Sequence, residues 1–180
     1  MKDLKKVKYL ILDMDGCVYH PKYLKTLFGQ VSARMTEFIA LKLGIDKIKA
    51  KEIQSEYFYK HDTSLNGLLI NHPDKVNAHE FLKYVHDVDL SKLKKCPGLF
   101  KEINQLPGRK IIYTNGDHYY AKKVLNSLGI ESLFEYILDI KKSKYVPKPS
   151  VQPLITYLKK NKIKAQACVY FEDLEKIGRA

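Results

Sequence analysis

Three cysteines, three arginines and no long apolar run set the first limits on this 180-residue chain. Cys17, Cys96 and Cys168 are odd in number and lack metal-ligand spacing, which excludes a disulfide framework and a cysteine-built zinc site and suits a reducing cytosol. The apolar run Tyr9-Leu10-Ile11-Leu12 is too short for a signal-peptide core or a membrane span, so no membrane attachment is expected. The formal net charge is +12, but Arg34, Arg109 and Arg179 are the only arginines among 32 basic residues. Nucleic-acid recognition favours the bidentate arginine fork, so this field of dispersed lysines argues against a nucleic-acid partner. It would still attract small phosphorylated molecules. With 45% hydrophobic and 29% charged residues, the composition is that of a globular domain that buries roughly 70% of its unfolded surface.

Three apolar runs predict strands buried on both faces: Tyr9 to Leu12, Lys110 to Tyr113 and Ala167 to Phe171, with a weaker fourth at Tyr136 to Ile140. After the second run, Asp117 is placed to cap a helix carrying Ala121, Val124, Leu125 and Leu128 on one face, and Gly129 to end it. Ser150 is expected to cap another with Val151, Leu154, Ile155 and Leu158. Alternating strands and helices predict an α/β fold with a parallel sheet flanked by helices. Between the first and second strands the pattern is helical throughout, with Val31, Met35, Phe38 and Ile39 in register, Gly44 as a stop, and a further periodic segment from Phe81 to Val85. Residues 20–95 are therefore expected to form a helical insertion, and 1–19 with 96–180 the sheet domain.

Chemistry gathers at the strand ends. Asp13-Met14-Asp15-Gly16 follows the first strand, and two carboxylates one residue apart at a buried tip are electrostatically costly unless a cation binds. The second strand ends in Thr114-Asn115-Gly116, a hydroxyl and backbone N–H groups ahead of a helix N-terminus, suited to an anion. Lys148 sits between Pro147 and Pro149, and the third buried run ends in Glu172-Asp173. Open α/β sheets bind ligands at the carboxyl ends of their strands, so these groups should share one edge. Acids, a cation held by them, a lysine and hydrogen-bond donors are the parts that phosphoryl transfer requires. Cys17, beside the acids, reads as a packing residue with its thiolate suppressed.

In this order the four segments Asp13-Met14-Asp15-Gly16, Thr114-Asn115-Gly116, Lys148 and Glu172-Asp173 resemble the motifs of the haloacid dehalogenase-like phosphohydrolase superfamily. The resemblance implies a Rossmann-like sheet, a helical cap inserted after the first motif, and a Mg2+-dependent phosphatase working through an aspartyl-phosphate. By that resemblance Asp13 is nucleophile and magnesium ligand, and Asp15 is general acid and base with its carbonyl on the metal. Thr114 and the Asn115 backbone bind the phosphoryl group, and Lys148 neutralises charge. Asp173 ligates the metal directly, and Glu172 acts through water.

Within the superfamily, Asp15-Gly16-Cys17-Val18-Tyr19, the segment Tyr57 to Leu68 and Leu106 to Asn115 resemble the pyrimidine 5′-nucleotidase branch. That resemblance implies a nucleoside 5′-monophosphate as substrate, with Tyr57, Tyr59, His61 and Asn66 contacting it from the cap. A phosphatase for another small phosphometabolite, a phosphomutase and a catalytically weakened binding module remain alternatives. Relatives carry a serine and an asparagine where this chain has Leu174 and Ile177, and they continue through a further helix and strand. The C-terminal strand is therefore expected to be missing, leaving Ala167 to Phe171 as an exposed sheet edge suited to homo-oligomer formation.

Overall fold

The computed structural model describes residues 7–19 and 21–173; Leu174, Ile177 and the expectation of a missing last strand lie outside them. Four parallel strands, β1 (Tyr9–Leu12), β2 (Arg109–Tyr113), β3 (Tyr136–Leu138) and β4 (Cys168–Phe171), form one sheet in the order β3-β2-β1-β4. Register runs Tyr9 with Arg109 and with Cys168, and Ile111 with Tyr136. The central pair is brought together at Gly108, whose φ of +81° suits glycine and where a Cβ would lie 2.8 Å from the Lys8 carbonyl carbon. Both faces of the sheet are buried along β1, β2 and β3, whereas β4, expected to be buried on both faces, is half-buried with Phe171 at its end 40% exposed, since among the described residues it pairs on one side only. Ile11, Ile111, Tyr113 and Leu138 pack with Leu154 and Leu158 of helix α7 (Gln152–Lys160), while Leu10, Leu12 and Ile112 are buried on the alternate side. Each such aliphatic side chain contributes roughly 2 kcal/mol by leaving water.

Between β2 and β3, helix α6 (His118–Leu128) begins where the Asp117 carboxylate accepts the Tyr120 N–H at 2.9 Å and ends at Gly129, φ +74°. Ser150 does not cap α7 as expected: its N–H closes a turn onto the Pro147 carbonyl, its own carbonyl accepts the Tyr113 hydroxyl, and the helix starts two residues later with Pro153 in its first turn. The fourth run is shorter than expected, because Asp139 leaves the strand to accept the Lys142 N–H.

The chain divides into two compact units, one from its start to Leu24 together with residues from Leu90 onward, the other Lys25–Asp89. The boundaries expected from sequence lay at 19/20 and 95/96. The described residues between β1 and β2 are helical: α1 (Pro21–Leu43), α2 (Lys47–His61), α3 (Ser64–Asn71) and α4 (Ala78–Val85), followed by α5 (Pro97–Gln105). Phe38, Ile39, Leu68, Phe81 and Val85 form the buried interior of the second unit. Phe38 and Phe81 meet edge to face at 5.2 Å. No described helix is long and apolar enough to cross a membrane.

Candidate active site

Asp13 follows β1 directly, its N–H bonded to the Phe171 carbonyl, so its carboxylate is fixed at the carboxyl edge between β2 and β4. It is 5% exposed and forms an ion pair with Lys148, itself 4% exposed. The Lys148 ammonium also donates to Glu172 Oε2 at 2.8 Å, and the Tyr170 hydroxyl donates to the same oxygen. Burial pushes the Asp13 carboxyl up to about 7 despite Lys148, with Asp15 and Glu172 adding to the rise. Burial alone would lower the Lys148 ammonium, but the Asp13 and Glu172 carboxylates outweigh it and hold it above its ordinary value. The lysine is thus permanently charged and still leaves Asp13 short of positive charge.

Asn115 sets the lysine in place. Its Oδ1 accepts the Lys148 N–H at 2.8 Å, and its Nδ2 donates to the Lys148 carbonyl at 3.4 Å, tying the segment after β3 to the end of β2. Thr114, 1% exposed, accepts the Gly116 N–H on Oγ1 at 3.0 Å, so its hydroxyl shapes the turn while keeping a proton to donate.

Gly16 adopts φ +93°, and a Cβ there would fall 2.3 Å from Asp173 Oδ2; glycine is what lets the fourth segment close on the first. Among the described residues, ligand atoms of Asp13, Cys17 and Asp173 lie within 4.8 Å of one another. Partial burial and contact with Glu172 hold Asp173 above the usual carboxylate range. The Cys17 thiol is pushed up to about 12 by burial and then by Asp13 and Asp173, as expected of a suppressed thiolate.

Asp15 Oδ1 accepts the Tyr19 hydroxyl at 2.5 Å and the Tyr120 hydroxyl at 3.3 Å. Burial, then the neighbouring Asp15 charge, raises both phenols well above their ordinary value, so they are protonated donors. The sequence reading did not assign a role to either tyrosine. The i to i+4 spacing from Asp15 was a usable signal for Tyr19, whereas Tyr120 is brought in by tertiary packing alone.

Asp13, Lys148 and Glu172 are therefore in contact, with Asn115 clamping the lysine and Asp173 beside Asp13. The four residues read as substrate contacts belong to the helical unit. There the Tyr57 hydroxyl bonds His72 Nε2 at 3.0 Å, its ring meets His61 edge-on, and Asn66 Nδ2 donates to the His61 carbonyl. Tyr59 is 81% exposed.

The structure is similar to several solved proteins. It matches YfnB of Bacillus subtilis, crystallised with magnesium, at 16% identity and a TM-score of 0.55 over 94% of this chain and 79% of that one. A HAD phosphatase of Thermococcus onnurineus matches at 18% and 0.52, with the same two coverages. A β-phosphoglucomutase candidate from Thermotoga maritima matches at 21% and 0.54 over 94% of this chain and 78% of that one. At such identities the likeness establishes a shared fold. A family model described as haloacid dehalogenase-like hydrolase matches residues 7–176, across the four acid, threonine and lysine segments that meet at the sheet edge. The chain belongs to the haloacid dehalogenase-like hydrolase family.

Proposed function

We propose that this hydrolase is a Mg2+-dependent phosphatase of small phosphate monoesters, with a nucleoside 5′-monophosphate as the favoured substrate. The observation that carries the reading is Asp13: a buried carboxylate held beside one lysine, with Asp15 and Glu172 raising its proton affinity, at a strand tip. A carboxylate cannot approach a phosphate dianion unless positive charge intervenes. The residues fit a hard dication, since Asp13 and Asp173 present oxygens to the same space, the missing side chain at Gly16 admits Asp173, and Asp13 remains undercompensated by Lys148. When bound, such an ion neutralises phosphate oxygens and orients the ester for in-line attack.

Asp13 Oδ attacks phosphorus, forming an acyl-phosphate bond as the bond to the ester oxygen breaks. Asp15 gives its proton to the departing oxygen, then takes one from the water whose oxygen attacks phosphorus as the Asp13 Oδ–phosphorus bond breaks, regenerating the Asp13 carboxylate and releasing inorganic phosphate. Thr114 and the Asn115 backbone hold the transferring group, Lys148 offsets its charge, and Glu172 keeps Lys148 aimed at Asp13. The preference for nucleotides rests on the resemblance of the Tyr57 to Leu68 segment, in which Tyr59 offers an exposed ring for base stacking, while Tyr57, His61 and Asn66 are bonded among themselves and to His72. Three cysteines, odd in number and without metal-ligand spacing, suit a reducing compartment such as the cytoplasm.

Purified protein screened against a panel of phosphate monoesters should release phosphate only with Mg2+, and fastest from nucleoside 5′-monophosphates. Asp13→Asn should abolish release. No release from any ester, or an Asp13→Asn variant indistinguishable from the parent, would overturn the phosphatase reading. A flat profile with other phosphometabolites preferred would overturn only the nucleotide preference.

A further inference from the structure

We propose that Tyr19 and Tyr120 are positioning residues for Asp15: their two hydroxyls converge on Oδ1 and hold the acid/base carboxyl in its working orientation. The inference rests on the reading of Asp15 as acid and base, and it assigns a role to two residues outside the four motif segments. The two donors reach the same oxygen from different elements. Tyr19 comes from the turn after β1, four residues beyond Asp15, and Tyr120 from the first turn of α6, 105 residues away. They are 3% and 2% exposed. Burying a phenol without a partner for its hydroxyl is costly, and both hydroxyls bond the same carboxylate oxygen.

The sequence around Tyr120 holds its ring in place. Asp117 accepts the Tyr120 N–H, fixing the first turn of α6. Gly116 has no side chain to obstruct it: a Cβ would lie 3.2 Å from Tyr120 Cδ1 and 3.3 Å from Thr114 Oγ1. The phosphate-binding turn and the acid/base are thereby joined through one aromatic ring. Any misplacement of α6 would move both.

The chemical consequence follows from which form of Asp15 the hydroxyls favour. Phenol donors bind a carboxylate more strongly than a neutral carboxyl. After Asp15 has passed its proton to the leaving oxygen, the anion produced is the form that Tyr19 and Tyr120 bind best. The tyrosines keep their own protons throughout, and the carboxylate is held ready to take the proton of water. Their effect should therefore be largest where proton donation matters most, on esters with strongly basic leaving groups.

The test is kcat/KM for a series of phosphate esters of graded leaving-group basicity, from nitrophenyl through phenyl to alkyl phosphate. It is measured in Tyr19→Phe and Tyr120→Phe, each made in the parent and in an Asp15→Asn background, with thermal unfolding recorded alongside. Each ring is retained, so packing is preserved. Loss of one charge-assisted donor should cost about tenfold on alkyl phosphate and under about twofold on nitrophenyl phosphate. In the Asp15→Asn background either substitution should be silent on phenyl phosphate. An equal loss on every ester, a loss that persists in the Asp15→Asn background, or no loss on any ester would overturn the positioning role while leaving the phosphatase reading intact. If the parent hydrolyses no ester, or Asp15→Asn behaves like the parent, the acid/base reading itself fails before the tyrosines are touched, and the proposal with it.

Discussion

Asn115 uses both ends of its amide on the backbone of Lys148, and this explains why the lysine can sit 4% exposed between two acids without wandering. A buried ammonium on a four-carbon stem loses considerable rotamer freedom, and anchoring its own peptide group lowers that cost. Cys17 is the counterpart, a group whose surroundings silence it. With burial and the Asp13 and Asp173 charges raising its thiol to about 12, the thiolate fraction at pH 8 is about one in ten thousand. Cys96 is exposed. Iodoacetamide at pH 8, followed by peptide mass spectrometry, should therefore modify Cys96 well before Cys17. Labelling of Cys17 first would mean that the acids do not surround it as described.

At the scale of elements, α2 and α3 of the Lys25–Asp89 unit meet closely where Gly67 lies against the Tyr57 side chain. A Cβ at 67 would sit 2.4 Å from Tyr57 Cβ, an atom fixed to the backbone of α2 that cannot swing aside. Gly67→Ala should cost about 1–3 kcal/mol in urea unfolding through overpacking, despite the better helix propensity of alanine. A stabilised variant would show that the two helices part easily. The elements themselves were legible from sequence because their signals are local: β1 and β4 as apolar runs ending in acids, α6 from Asp117 to Gly129, the helical run through Phe38 and Phe81. The meeting of the candidate residues at the strand ends was legible for a related reason, since a parallel sheet gathers its carboxyl tips by topology alone. What escaped were contacts set by tertiary approach. Ser150 has the chemistry of a helix cap but is taken by a turn onto Pro147. Tyr120 reads as an ordinary buried face residue until Gly116 lets it reach Asp15.

At the scale of the whole molecule, a chain of net charge +12 buries the Asp13 carboxyl beside Glu172 and Lys148 at one sheet edge, and stability should register that burial. Asp13 has an ordinary value of 3.8 and a folded value of about 7. Between those values the folded protein keeps a proton that the unfolded chain has released. The contribution of this carboxyl to stability, up to about 4 kcal/mol, is therefore fully present below about pH 4 and is lost as pH rises through about 7 in metal-free protein. The same proton competes with Mg2+, because a carboxylate must be ionised to ligate, so metal binding should strengthen over the window in which the protein alone weakens. With about 10 mM Mg2+ and a millimolar site, linkage gives about 1.4 kcal/mol, or about 3–6 °C in Tm at pH 8, falling below about 1 °C at pH 5.5. Differential scanning fluorimetry of the parent and of Asp13→Asn, with and without Mg2+ at both pH values, checks this. The Asn variant should show no metal shift at either pH and should lose the decline of metal-free stability between pH 5 and 7. A shift of equal size at both pH values in the parent would mean that Mg2+ binds away from Asp13.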